Sequence, residues 1–293
     1  MRTFRYLQLD VFSNRPGAGN PLGVVVDAGA LSAQQMQQIA AWLNLSETVF
    51  FLPVSAPGAD YHIRIFTPRA ELPFAGHPSV GAAWVARTHG LVGYRQDNRL
   101  YQQCAAGVLP VDVFDRHDVV LVRLRAPRAQ CSDTGTHHAA ALAQVTRAFA
   151  MSAQAPALWN NGPSWWLLEL ADEAAVRTAV PDLAAIAALT AASGAVGLAI
   201  YAAAASDAED LVVRAFCPGD GIPEDPVTGS ANACIAARLL AEDRLPGRQG
   251  RYVASQGREV GRDGRVEVVE VDAAGDVWIG GATQQVIEGR IAW

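Results

Sequence analysis

The sequence predicts two similar α/β lobes within one chain. Two observations carry that expectation. The segment RIFTPRAELPFAGHPSVGAAWVAR (64–87) aligns without a gap with RAFCPGDGIPEDPVTGSANACIAA (214–237), and both read as strand, Pro-bounded loop, small-residue turn and helix. A second pair, NPLGVVV (20–26) and NGPSWWLLEL (161–170), keeps the same order, each a loop feeding an apolar strand. Shared positions include Arg64/Arg214, Phe66/Phe216, Pro68/Pro218, Pro73/Pro223, Ala83/Ala233 and Ala86/Ala236. Prolines at both ends of a loop are harder to match by chance than alanines in an Ala-rich chain.

Each element has its own local reason. Arg5 to Phe12 alternates as a strand does, a turn-rich loop SNRPGAGNP follows, and LGVVVDA is a continuous apolar run. Ser32 to Leu43 opens with a capping residue and spaces Met36, Ile39, Ala40 and Leu43 along one helical face. Ser46-Glu47 leads into the strand TVFFLP, and Tyr61 to Phe66 is a further strand. In the second half, Leu183 to Ser206 carries no charge and imitates a membrane span. Its alanines, Thr190, Ser193, Gly194 and Gly197 fit a short helix, a Gly turn and a buried strand better. Arg251 to Asp276 reads as hairpins, with a D-G turn in GRDGRVEVVEV. The first lobe is expected to comprise 1–120 plus 279–293 and the second 121–278, the tail GGATQQVIEGRIAW returning to the first.

Composition narrows the function. The chain has 293 residues, 51% hydrophobic and 18% charged, which suits a sizeable core and excludes disorder. All 23 basic residues are Arg, so Schiff-base, PLP-anchoring and P-loop lysines are ruled out. With net charge −6 and scattered arginines, no nucleic-acid footprint is present. The N-terminus has no signal-peptide core, and a cytoplasmic protein with no membrane partner is expected. The cysteines, Cys104, Cys131, Cys217 and Cys234, show no C-x-x-C spacing, and His137-His138 has no matching Cys or acidic pair, so no metal is expected. GAG (17–19) does not complete a dinucleotide fingerprint, and no G-x-S-x-G elbow surrounds Ser230.

Two turns are candidates for chemistry, FAGHPS (74–79) and EDPVTGSA (224–231), each ending where a helix begins. Unpaired N–H groups and the dipole at a helix start favour a carboxylate or phosphate. If the lobes pack face to face, both starts can address one small anion. Glu47 in NLSETVFF is either a cap or exposed strand edge, or a general acid/base among apolar neighbours. His77 is either a structural histidine satisfying a loop carbonyl or a catalytic one. Asp225 and Ser230 read equally as helix-start residues. Trp165-Trp166 reads as core, with an aromatic ligand wall as the alternative.

At these residues the chain resembles the PhzF-type phenazine-biosynthesis family of the diaminopimelate-epimerase-like superfamily. NLSET, ELPFAGHP and EDPVTGSA together carry the resemblance, supported by GNPLGVVV and LSAQQMQQIAAWLNLSETVFF. It implies two pseudo-symmetric α/β (α+β) lobes, each a curled, mostly antiparallel sheet around a central helix, in a homodimer without metal or organic cofactor. It further implies that Glu47 is the proton-shuttling glutamate. His77, Asp225 and Ser230 then orient the substrate, and N–H groups near Gly76 and Gly229 bind its carboxylate. Racemases of the superfamily place a cysteine in each turn; neither turn here contains one. The expected function is a cofactor-independent isomerase moving a proton between carbons of a small carboxylic acid, such as a cyclic amino or hydroxy acid. The alternatives are a non-catalytic acid-binding or regulatory protein, or a dehydratase or epimerase on the same scaffold.

Overall fold

Alternating side chains over TFRYLQLDV build the first strand, β1 (Thr3–Val11), in the computed structural model, which describes the chain except for residues 94, 118, 272 and 273 and only the backbone of 268–271. The chain folds as two units, Met1–Arg125 with Gly280–Trp293, and Ala126–Ile279. After β1 the first unit contains β2 (Asn20–Val26), α1 (Ala33–Leu43), β3 (Glu47–Leu52), β4 (Tyr61–Phe66), β5 (Glu71–Leu72), α2 (Gly76–Thr88), β6 (Arg99–Cys104), β7 (Gly107–Arg116) and β8 (Val119–Arg125). The second contains β9 (Gln130–Asp133), α3 (Ala139–Thr146), β10 (Ala157–Asn160), β11 (Ser164–Glu169), α4 (Glu173–Arg177) and α5 (Leu183–Ser193). It continues with β12 (Gly197–Ala203), β13 (Leu211–Cys217), β14 (Ile222–Asp225), α6 (Gly229–Ala241), β15 (Tyr252–Gln256) and β16 (Gly264–Val271). The last strand, β17 (Val277–Ala292), completes the chain.

In the first unit β2·β3 and β4·β6 are parallel, whereas β1·β2, β3·β4, β6·β7, β7·β8 and β1·β17 are antiparallel. Because β17 also pairs with β8, the sheet closes on itself. Helix α2 runs inside, contacting β1, β2, β3, β4, β6, β7 and β8. Its sequence, GHPSVGAAWVART, is buried on nearly every side, as a helix enclosed by a sheet must be. Small residues make the fit: a Cβ at Gly81 would lie 2.4 Å from Leu22. Helix α1 covers the outer face, placing Met36, Ile39 and Ala40 against Val25, Phe50 and Phe66. It starts as its sequence predicts, with Ser32 Oγ accepting from Gln35 N at 3.2 Å and Gln35 Oε1 accepting from Ser32 N at 2.9 Å.

The second unit repeats the plan. Strands β11·β12 and β13·β15 are parallel; β9·β10, β10·β11, β12·β13 and β15·β16 are antiparallel. Helix α6 packs on β9, β10, β11 and β16, and α5 joins an apolar cluster with Trp166, Leu198, Ile200, Val212 and Phe216. The uncharged stretch 183–206 resolves into α5, a left-handed Gly194 (φ 68°) and β12. Among the described residues no helix is long and apolar enough to cross a membrane.

Strand register identifies equivalent residues. Thr48 faces Phe66 across β3·β4, and Leu198 faces Phe216 across β12·β13. Leu22 faces Glu47, and Trp165 faces Gly197. Glu47 therefore corresponds to Gly197, and Leu22 to Trp165. After β4 and β13 the gapless alignment fails. Ile65 faces Leu72, but Ala215 faces Asp225 with a bulge before Cys217, so the second hairpin is three residues longer. The identities Pro73/Pro223, Ala83/Ala233 and Ala86/Ala236 are then accidents of offset. Pro73 matches Pro226, Gly76 matches Gly229, and His77 matches Ser230. Side chains agree: Ser79 Oγ donates to Ala75 O (2.8 Å) and Asn232 Nδ2 to Thr228 O (2.9 Å). The shared Arg and Phe are a duplicated clamp. Arg64 grips Glu71 through Nε and Nη2 (both 2.6 Å) and lies 5.1 Å over Phe66; Arg214 grips Glu224 (2.9 and 2.8 Å) and lies 5.2 Å over Phe216. The expected hairpin forms between β15 and β16, but residues 257–263 connect it rather than the D-G pair, since Gly264 already pairs with Gln256.

Candidate active site

In the first unit the parallel pairing of β2 and β3 brings Pro21, Leu22 and Glu47 alongside the start of α2. Glu47 is the first residue of β3, half-buried, so neither the helix cap nor the exposed edge describes it. Its Oε2 lies 3.4 Å from His77 Nε2, the two side chains being 17% and 8% exposed. Burial pushes the His77 imidazole down to about 3, against a backbone hydrogen bond to Pro21 that favours the charged form. Proline has only a carbonyl to offer, so the imidazole donates to Pro21 O. Among the described residues His77 Nε2 makes no aligned hydrogen bond, which leaves Nδ1 as the donor and Nε2 as a lone pair facing the carboxyl group. The separation alone resembles an ion pair, but a neutral ring makes none at physiological pH. A hydrogen bond across this gap forms when Glu47 carries the proton.

Gly76 is the first residue of α2; the N-cap, Ala75, has no side chain to cap the helix, and no acidic residue lies in the first turn. The same holds for α6, which begins at Gly229 with no side-chain cap and no acid in its first turn. Both helix ends keep donors and a positive dipole end for an anion.

In the second unit Asp225 ends β14 and does not cap α6, correcting that reading. Its Oδ2 accepts from Thr228 Oγ1 at 2.5 Å. Gln256 Nε2 donates to Thr228 Oγ1 (2.9 Å) and to Asp225 O (3.0 Å), while its Oε1 accepts from Thr228 N and Asn232 Nδ2, both at 3.0 Å. With one donor already on its oxygen, the Thr228 hydroxyl is left to give its proton to Asp225. Ser230 Oγ accepts from Trp165 Nε1 at 3.1 Å, and Ser230 O from Asn161 Nδ2 at 3.0 Å. The structure thus joins Glu47, His77 and Gly76 in one unit, and Asp225, Gly229 and Ser230 on one turn of the other.

Sequence reasoning missed Pro21, Asn161, Thr228 and Gln256, and it read Trp165 as core or as an aromatic ligand wall, not as a partner of Ser230. Thr228 alone had a signal, a hydroxyl residue before a helix start; Pro21 and Gln256 come from distant strands and Asn161 from the turn between β10 and β11. Among the described residues the four cysteines form no disulfide, with Cys131 exposed and the others buried. Burial pushes the Cys234 thiol up to about 12, so it stays protonated and supplies no thiolate base. His137 and His138 do have an acidic neighbour, Asp133, at 3.3 and 3.8 Å. Among the described residues no group of three or more His, Cys, Asp or Glu forms a metal-holding cluster.

Comparison with known proteins adds the following. The sequence model of the PhzC-PhzF family, described as phenazine biosynthesis-like protein, matches residues 9–289. An uncharacterized isomerase of Deinococcus radiodurans is 34% identical, covering 97% of this chain and 94% of its own. The trans-2,3-dihydro-3-hydroxyanthranilate isomerase of Pseudomonas aeruginosa is 31% identical, covering 98% of both. The crystal structure of a PhzF-family phenazine biosynthesis protein from Bacillus anthracis superposes with a TM-score of 0.86 over 100% of both chains at 24% identity.

Proposed function

The chain belongs to the phenazine-biosynthesis-like family, and from that premise we propose that it is a cofactor-independent isomerase in which Glu47 moves a proton between two carbons of a small carboxylic acid. The observation that carries the reading is the pairing of half-buried Glu47 with a histidine that stays neutral. As carboxylate, Glu47 takes a proton from a carbon made acidic by the substrate's conjugated carboxylate. The electron pair of the broken C–H bond spreads over that conjugated system, and Glu47, its carboxyl proton exchanged with solvent, then protonates a second carbon on the same face. Nothing is oxidised, and Glu47 ends as it began. During the intermediate stage Glu47 is a carboxylic acid, and the His77 lone pair is its acceptor.

Asp225 and Ser230 are the proposed binding groups for the substrate's polar substituents, and each helix start, at Gly76 in one unit and at Gly229 in the other, has N–H groups suited to an anion. The duplicated position argues for one base rather than two. Where Glu47 stands in the first unit the second has Gly197, and His77 and Ser230 occupy the places at which a thiol pair would stand. A cyclic amino or hydroxy acid is the proposed substrate class, by analogy with the 31% identical hydroxyanthranilate isomerase.

The test is conversion of trans-2,3-dihydro-3-hydroxyanthranilate in heavy water. The expected product is an isomer of unchanged formula with deuterium at the carbon that receives the proton. Loss of water identifies a dehydratase instead, and no deuterium uptake by substrate or product removes the proton shuttle.

A further inference from the structure

We propose that Trp165 is a positioning residue for Ser230: its indole N–H occupies one lone pair of the Ser230 hydroxyl and turns the O–H toward the substrate. The inference rests on the reading of Ser230 as a substrate-binding group, and it names a residue that no motif marks.

Register places the residues. Trp165 stands where the first unit has Leu22, Gly197 where it has Glu47, and Ser230 where it has His77. In the first unit the residue at the helix start meets the Glu47 carboxyl group. In the second it meets the indole, Nε1 lying 3.1 Å from Ser230 Oγ. The glycine makes room for that exchange. A Cβ at Gly197 would lie 2.5 Å from Trp165 Cζ3, 2.6 Å from Phe216 O and 2.9 Å from Cys217 Sγ, so no side chain fits while the indole is there. The ring is 2% exposed, too deep to form a wall against a ligand. Its single polar atom is spent on Ser230, which remains half-buried.

A serine hydroxyl has one proton and two lone pairs. Trp165 uses one lone pair, and Asn161 holds the Ser230 carbonyl at 3.0 Å. The residue is thus fixed at both ends. Among the described residues the hydroxyl makes no other side-chain hydrogen bond, so its O–H and second lone pair are left for a ligand. A tryptophan N–H can only donate, which makes the polarity of this contact unambiguous.

A double-mutant cycle on binding tests the idea, with 3-hydroxyanthranilate as the probe because its aromatic ring has no sp3 C–H for a carboxylate to deprotonate. By calorimetry, Trp165→Phe should weaken binding about 3- to 10-fold, the worth of one hydrogen bond. In a Ser230→Ala background the same change should cost less than about twofold. The Trp165 indole N–H resonance should also move in Ser230→Ala, a readout that packing alone leaves unchanged. Equal losses in both backgrounds would show that the indole acts through packing and would overturn the proposal. Ser230→Ala binding as tightly as the unmodified protein would overturn it too. Neither result touches the Glu47 chemistry, which is read separately from deuterium uptake.

Discussion

The two units share strand order, an enclosed or sheet-covered helix and an Arg–Glu clamp, yet differ at three positions beside the helix starts. The first has Leu22, Glu47 and His77; the second has Trp165, Gly197 and Ser230 in the corresponding places. In one unit an acid faces a neutral ring; in the other an indole faces a hydroxyl. A duplicated scaffold thus preserves its folding devices and gives each copy its own polar pair. Under the proposed one-base reaction, Glu47 has no counterpart in the second unit, where Gly197 stands.

The sharpest way to break the comparison is to remove the proton carrier. Glu47→Gln keeps the shape of the side chain but cannot take up a proton. Turnover of trans-2,3-dihydro-3-hydroxyanthranilate should fall by ~10²–10⁴, while 3-hydroxyanthranilate binding changes far less. Near-normal turnover would show that the two units are not divided in this way.

The clamps offer a smaller contrast, in stability rather than rate. Arg214 is only 5% exposed and also donates to Val176 O (3.1 Å) and Ala179 O (2.8 Å). Arg64 and Glu71 keep 25% and 34% of their side chains exposed. Arg214→Met leaves Glu224 and two carbonyls without their partner and should cost about 3–5 kcal/mol in urea unfolding. Arg64→Met should cost about 1 kcal/mol or less. Equal losses would mean that the burial difference does not set the strength of the clamp.

The smallest expected effect sharpens the neutral state of His77. Its folded value is about 3, against an unfolded value near 6.5. Above pH 6.5 the ring is neutral in both states and folding is indifferent to pH through this group. As pH falls from 6.5 toward 3, the unfolded chain binds a proton that the native one refuses. Stability attributable to His77 should therefore fall by about 1.4 kcal/mol per pH unit, or about 2 kcal/mol by pH 5. The difference in unfolding free energy between the unmodified protein and His77→Gln, measured from pH 7 to 5, checks it. A flat difference means that the native ring takes up its proton over the same pH range as the unfolded chain.

Much of this was legible in the residues. Ser32 and the spacing of Met36, Ile39 and Ala40 announce α1, because capping and helical periodicity are local. The two helix starts and the strands around them follow from Pro, Gly and β-branched runs for the same reason. The gapless repeat was half right. It holds through Phe66/Phe216 and slips at the longer hairpin, because small residues and prolines match almost equally well at either offset. The capping role considered for Asp225 failed because Thr228, nearer the helix, takes that position and turns its hydroxyl back to the aspartate.

By itself the sequence determined the alternation of elements, the position of both helix starts and the identity of Glu47 and His77 as the residues to examine, since these depend on neighbours a few positions away. Only the tertiary structure decided that His77 is neutral, because that needs burial on every side and a carbonyl from Pro21 on another strand. It alone showed that Gln256 steadies Thr228 and Asp225, and that Trp165 takes the space a second acid would need. Those facts depend on which distant side chains exclude water and which atoms they leave to pair.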